Sequence, residues 1–129
     1  DYITIMTAGN SADFGDLTAG RGFMGGTSSS TRGLFAGGFA GPAASNVIDY
    51  VTIATLGNAT DFGNLTVART MSGGGSNNTR ATFSGGATPS YSNVIDYVTI
   101  SSTSNATDFG DLPTATTGPT GSNGHGGLQ

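Results

Sequence analysis

Asn46-Val47-Ile48-Asp49-Tyr50-Val51-Thr52-Ile53-Ala54 is the stretch that decides how this chain folds. Read with the two-residue period of a strand, it puts Ile48, Tyr50, Thr52 and Ala54 on one side. Val47, Asp49, Val51 and Ile53 fall on the other. Both sides are mostly apolar and β-branched, the pattern of a strand whose sheet is covered on both faces. The same words recur: Asp1-Tyr2-Ile3-Thr4-Ile5 precedes this stretch and Asp96-Tyr97-Val98-Thr99-Ile100 follows it, at offsets of 48 and 47 residues.

Two more landmarks keep the same order. Asp13-Phe14-Gly15-Asp16-Leu17 returns as Asp61-Phe62-Gly63-Asn64-Leu65 and as Asp108-Phe109-Gly110-Asp111-Leu112. Thr31-Arg32-Gly33-Leu34-Phe35-Ala36-Gly37-Gly38 returns as Thr79-Arg80-Ala81-Thr82-Phe83-Ser84-Gly85-Gly86, and degrades to Asn123-Gly124-His125-Gly126-Gly127-Leu128. Three landmarks at near-constant spacing divide the chain into one region of three units, about 1–48, 49–95 and 96–129. Tyr2, Phe14, Tyr50, Phe62, Tyr97 and Phe109 are its recurring aromatic anchors.

Composition points the same way. Only 9% of the 129 residues are charged, with no lysine and no glutamate; four arginines face eight aspartates. Helical surfaces favour Glu, Lys and Arg, which keep their rotamer freedom there. Their scarcity, beside 23 glycines and abundant Ser and Thr, predicts an all-β chain of roughly four short strands per unit. Within a unit, Asn58-Ala59-Thr60-Asp61 reads as a turn, Leu65 to Ala68 as a short strand, and Arg80 to Ser84 as a strand closed by the double glycine. The apolar runs are too rich for a disordered chain. A sheet apolar on both faces must be stacked between others, as in propeller blades or solenoid coils.

A net charge of −4 argues against a nucleic-acid-binding surface, which needs clustered cations, and no apolar run reaches the length of a membrane-spanning helix. With no cysteine and one histidine, His125, a nucleophile–base–orienter set cannot be assembled, and a catalytic site or metal site is not expected. Asn58, Asp61 and Asn64 offer oxygens to calcium, yet their spacing fits side chains capping nearby backbone amides better. Asp49 and Asp96 lie inside strands, where a lone carboxylate is costly to bury. Arg32, Arg69 and Arg80 recur with the landmarks, so an Asp–Arg pair between strands or sheets is the expected remedy, with solvent exposure as the other reading.

The order of these features resembles kelch repeats, the four-stranded blades of one β-propeller class. The resemblance lies in Thr82-Phe83-Ser84-Gly85-Gly86, in the strand Asn93 to Tyr97, in Phe62 and Leu65 where kelch units usually carry a tryptophan step, and in Arg21 and Arg69. Tryptophan is absent throughout, and the third copy has Pro113-Thr114-Ala115-Thr116 where the arginine should stand. The wording of residues 93–100, 105–112 and 122–128 is similar to repeat regions of virion structural proteins from cyanophages and other marine phages. That likeness implies a bacteriophage setting.

The resemblance implies a non-enzymatic virion module, such as part of a tail fibre or appendage, without cofactor. Its expected partners are copies of itself and other virion proteins, with host-surface glycan as a further contact; nucleic acid and membrane insertion are not expected. A kelch-type protein-interaction propeller of a cellular protein is the alternative. Three units are fewer than the four to eight blades of a closed propeller. Either the remaining blades lie in sequence outside these 129 residues, or identical chains complete the ring, the first strand of one copy completing the last sheet of another; a trimeric fibre of open stacked sheets is the competitor. The Pro-containing loops at Pro42 and at Pro89 and Tyr91 read either as plain connectors or as the surface that would touch host glycan.

Overall fold

The computed structural model describes residues 1–117. The described residues contain strands and no helix, as the missing Glu and Lys predicted. The first sheet has four antiparallel strands in sequence order: β1 (Gly25–Ser28), β2 (Arg32–Ala36), β3 (Val47–Thr52) and β4 (Thr60–Asn64). The second runs β5 (Gly73–Ser76), β6 (Arg80–Ser84), β8 (Ser90–Thr99) and β9 (Thr107–Thr116), with the two-residue β7 (Ala87–Thr88) folded back onto β8. Ahead of both, residues 1–20 form no named strand; a single antiparallel bridge joins Tyr2 to Ala12.

Each sheet opens on a hairpin set by one side chain. Ser29 Oγ accepts the Thr31 and Arg32 N–H groups, and Asn77 Oδ1 accepts those of Thr79 and Arg80. Such local acceptors are why Ser and Asn favour turns. Both following strands stop at a double glycine, Gly37-Gly38 and Gly85-Gly86, with φ between +63° and +105°. A side chain at Gly38 would meet Gly22 O at 2.7 Å, and one at Gly86 would meet Thr70 O at 2.5 Å, so only glycine serves.

The unit frame of the sequence and the frame of the sheets differ. Each sheet takes its glycine-rich hairpin from one sequence unit and its Asp-Tyr and Asp-Phe-Gly strands from the next. The strand expected over Leu65–Ala68 is not formed. Pairing ends with β4 at Asn64, because the Thr66 N–H is drawn to a carboxylate of the other sheet instead of a neighbouring strand. The expected turn at Asn58–Asp61 is correspondingly shorter, since Thr60 and Asp61 already lie in β4. A bulge falls between Ile48 and Asp49, opposite Phe62, and another between Ile95 and Asp96. The second sheet carries its own Asp-Tyr strand, β8, and the sheet that another copy's first strand is expected to complete is the one the last Gly-Gly stretch would begin. The last Gly-Gly stretch and His125 lie outside the described residues.

The sheets pack through opposite faces. Leu34, Ala36, Ile48, Phe62 and Leu65 of the first meet Ala81, Phe83, Val98 and Ile100 of the second in one core. Sequence counterparts therefore have unlike surroundings. Phe62 is 2% exposed while Phe109 is 58% exposed, and Ile100 is 1% exposed while Ile53 is 46% exposed. At the sheet ends nearest each other β1 and β5 approach backbone to backbone: a Cβ on Gly74 would fall on the Gly26 carbonyl. Glycine-rich strands are needed there for contact, beyond any role in turns.

Truncating the two phenylalanines separates burial from sequence. Phe62→Ala should cost about 3–5 kcal/mol in urea unfolding, and Phe109→Ala in dilute solution less than about 0.5 kcal/mol. Equal losses would contradict the stacking described here.

Candidate functional site

The one polar feature built twice in the core is a carboxylate joint between neighbouring segments. Asp49 is fully buried in β3. Its Oδ2 accepts the Thr18 N–H at 3.1 Å and the Arg21 Nη2 at 2.9 Å, and its Oδ1 accepts the Thr18 hydroxyl at 2.7 Å. Asp96 in β8 repeats this with Thr66 N–H at 3.2 Å, the Thr66 hydroxyl at 2.6 Å and Arg69 Nη1 at 2.9 Å. Arg69 Nη2 also donates to Phe83 O at 3.0 Å, and Arg21 Nη2 reaches Phe35 O at 3.4 Å. In both cases the threonine and arginine follow the Asp-Phe-Gly landmark of one copy and grip the strand of the next.

Taking two charges out of water costs several kcal/mol per ion, and the pair recovers it only with good geometry and further hydrogen bonds. Here the carboxylates are saturated. The guanidiniums are not: Arg21 Nε and Nη1 and Arg69 Nε have no protein acceptor. The joint therefore contributes orientation more than net stability.

The Asp–Arg pairing holds, but for Asp49 the expected arginine is replaced by Arg21. Arg32 and Arg80 sit at the starts of β2 and β6, where the ladder pairs them with Thr52 and Thr99, three residues beyond the aspartates. From there they stack instead over Tyr50 and Tyr97, 4.5 Å and 4.7 Å from the ring centroids. Arg32 Nη1 also donates to Ile100 O at 2.7 Å, tying the first sheet to the second. The tyrosines meet the phenylalanines edge to face: Tyr2 with Phe14 at 6.0 Å, Tyr50 with Phe62 at 5.8 Å and Tyr97 with Phe109 at 5.9 Å.

Thr18 and Thr66 were not singled out from sequence, although Leu17-Thr18-x-x-Arg21 and Leu65-Thr66-x-x-Arg69 carried the signal. Asp61 Oδ1 accepts the Gly63 N–H at 3.1 Å and Asn58 Oδ1 accepts the Asp16 N–H at 3.0 Å, so two of the three residues weighed for calcium are engaged in backbone bonds, while Asn64 Nδ2 donates to Asn105 Oδ1 at 3.4 Å. Among the described residues no three His, Cys, Asp or Glu side chains come together as a metal site would need. Pro42, Pro89 and Tyr91 are exposed, Tyr91 at 65%. A shallow depression of about 270 Å³ lies elsewhere, lined by Tyr50, Thr52, Thr55, Leu56, Gly57, Asn58 and Thr60. Pro42 lies in a loop, whereas the connector expected at Pro89 and Tyr91 is a tight hairpin, with Tyr91 in β8 opposite Ala87 of β7.

No protein-family model matches the chain. No curated protein is significantly similar to it.

Removing one partner should be far worse than removing both. Asp96→Asn leaves Arg69 buried without a counter-charge and should cost about 3–5 kcal/mol in chemical unfolding. Asp96→Leu combined with Arg69→Met should recover most of that loss. A single variant as stable as the parent would show that the pair is not buried.

Proposed function

We propose that this chain is a non-enzymatic building module of a bacteriophage virion, part of a tail fibre or similar appendage. The observation that carries the constructive half of this reading is where the recurring polar side chains go. Asp49, Asp96, Thr18, Thr66, Arg21 and Arg69 all meet in joints between successive segments, and Arg32 spans the two sheets. A recurring catalytic or ligand-binding residue would be turned toward a cleft. These are turned toward the next sheet.

In this reading the sheets are kelch-like units, either propeller blades or coils of a stacked-sheet fibre segment. The opposed faces that meet in the core suit both, because each sheet offers one face backward and one forward. The phage setting is supported by the wording of residues 93–100 and 105–112, and the low charge and high Ser, Thr and Gly content suit a packed fibre. Partners are further copies and other virion proteins. Host glycan, where touched, would meet the exposed Pro42 loop and the β7–β8 turn, with Pro89 at its tip and Tyr91 at the start of β8.

Immunogold labelling tests the placement, using antibodies against the 129-residue chain on purified particles of the phage that encodes it. Gold on the tail or its appendages is the expected result. Protein found in the soluble fraction of cells and missing from particles would favour the alternative, a kelch-type interaction domain of a cellular protein.

A further inference from the structure

The chain contains the same backbone joint twice, and each of its ends displays one half of a third. In the first joint the Phe14-Gly15-Asp16 edge receives the loop Gly57-Asn58-Ala59. Gly57 N–H donates to Phe14 O at 2.9 Å, Ala59 N–H to Asp16 O at 2.8 Å, and Asp16 N–H to Asn58 Oδ1 at 3.0 Å. In the second, Phe62-Gly63-Asn64 receives Ser104-Asn105-Ala106. Ala106 N–H donates to Asn64 O at 2.8 Å, and Asn64 N–H to Asn105 Oδ1 at 3.1 Å. The glycine is obligatory in both, because a Cβ at Gly15 or Gly63 would fall on the carbonyl of Gly57 or Ser104.

The corresponding edge in β9 is Phe109-Gly110-Asp111. Gly110 keeps the same backbone, φ +136° beside +140° at Gly15 and +144° at Gly63, and Asp108 Oδ1 caps its N–H at 2.9 Å as Asp13 and Asp61 do in theirs. Yet no described residue lies within 4 Å of where its Cβ would stand. Among the described residues the receiving edge is shaped and uncovered. The corresponding loop is Gly9-Asn10-Ser11, which keeps the central asparagine, is exposed, and has nothing within 4 Å of a Cβ at Gly9. Apolar surface flanks both. Phe109 is 58% exposed on one side, while Ile3 and Ile5 are 62% and 90% exposed on the other. The counterparts of Ile3 and Ile5 in β8 and the turn after it, Val98 and Ile100, are buried against the first sheet at 2% and 1%.

We propose that copies of this chain join head to tail, the Gly9-Asn10-Ser11 loop of one copy seating on the Phe109-Gly110-Asp111 edge of another. This rests on the reading of the chain as a self-associating module and is independent of its placement in a phage. Two unlike patches that match each other make a heterologous contact, which closes into a ring or runs on as a filament.

One part of the joint is missing, and it sets the strength. The Gly86 N–H donates to Thr116 O as the Gly38 N–H donates to Arg69 O, so Thr116 occupies the backbone station of Arg69. Pro113 stands where Thr18 and Thr66 stand, and proline has no N–H to give. Asp1 of the incoming copy, the counterpart of Asp49 and Asp96, therefore meets neither an amide nor a guanidinium. The contact between copies is the weakest in the series and reversible.

Sedimentation equilibrium on the 129-residue chain tests this with three exposed-site variants, each first checked for an unchanged melting temperature. The parent should show a mass that rises with concentration. Asn10→Ala and Phe109→Ser should each weaken association at least about tenfold. Mixed in equal amounts they should form a dimer of parental affinity, because one supplies an intact edge and the other an intact loop. Pro113→Thr with Thr116→Arg should tighten association about tenfold or more. A parent chain that stays monomeric at about 1 mM overturns the proposal, leaving residues 118–129, a further unit of a longer chain or a different protein to cover that edge. Association that the mixture fails to restore overturns it as well, since it would mean a symmetric contact elsewhere.

Discussion

A carboxylate buried in a strand and satisfied by side chains of the segment before it is the constraint on which the rest of this structure depends. Asp49 and Asp96 cannot be left unpaired in the core, so the chain leaving one Asp-Phe-Gly landmark must come back across the next sheet. The threonine and arginine that answer the aspartate are three residues apart, and their reach fixes where that segment lies. A hydrophobic interface alone would tolerate sliding. A buried ion pair with two further hydrogen bonds does not, and such groups are best understood as setting register rather than adding stability.

Other features follow once the register is set. The Asp-Phe-Gly strand is held against the loop of the following sheet, which brings a carbonyl to the place a side chain would occupy and leaves glycine as the only residue that fits. Phe62 is itself the extra residue of the bulge facing Ile48 and Asp49, and it fills the space between sheets against Tyr50. The glycine-rich strands β1 and β5 come together at the opposite edge of the sheets, close enough that side chains would hold the sheets apart. Polar pairing, backbone approach and apolar burial thus agree on one arrangement.

The sequence made the all-β class legible because composition, β-branched runs and punctuating glycines all pointed one way. The buried aspartates and their need for arginine were also legible, from a charge standing inside an apolar strand. Which arginine answers was not. Arg32 and Arg80 recur in the more conspicuous landmark, and only the ladder register shows that they fall three residues past the carboxylates. The strand expected at Leu65–Ala68 failed for a related reason: Thr66 spends its N–H on Asp96, a partner 30 residues away that no local pattern reveals. The glycines of β1 and β5 carry no strand pattern to read, because only the close approach of a second backbone makes glycine suitable inside a strand.

Amide hydrogen exchange followed by NMR tests the joint most directly. Thr18 and Thr66 lie outside every strand, and in an ordinary connecting segment their amides would exchange within the fast class. If their N–H groups donate to the buried Asp49 and Asp96 carboxylates, they should exchange as slowly as the amides of β3 and β8. Rapid exchange at both, with the strands protected, would contradict the account.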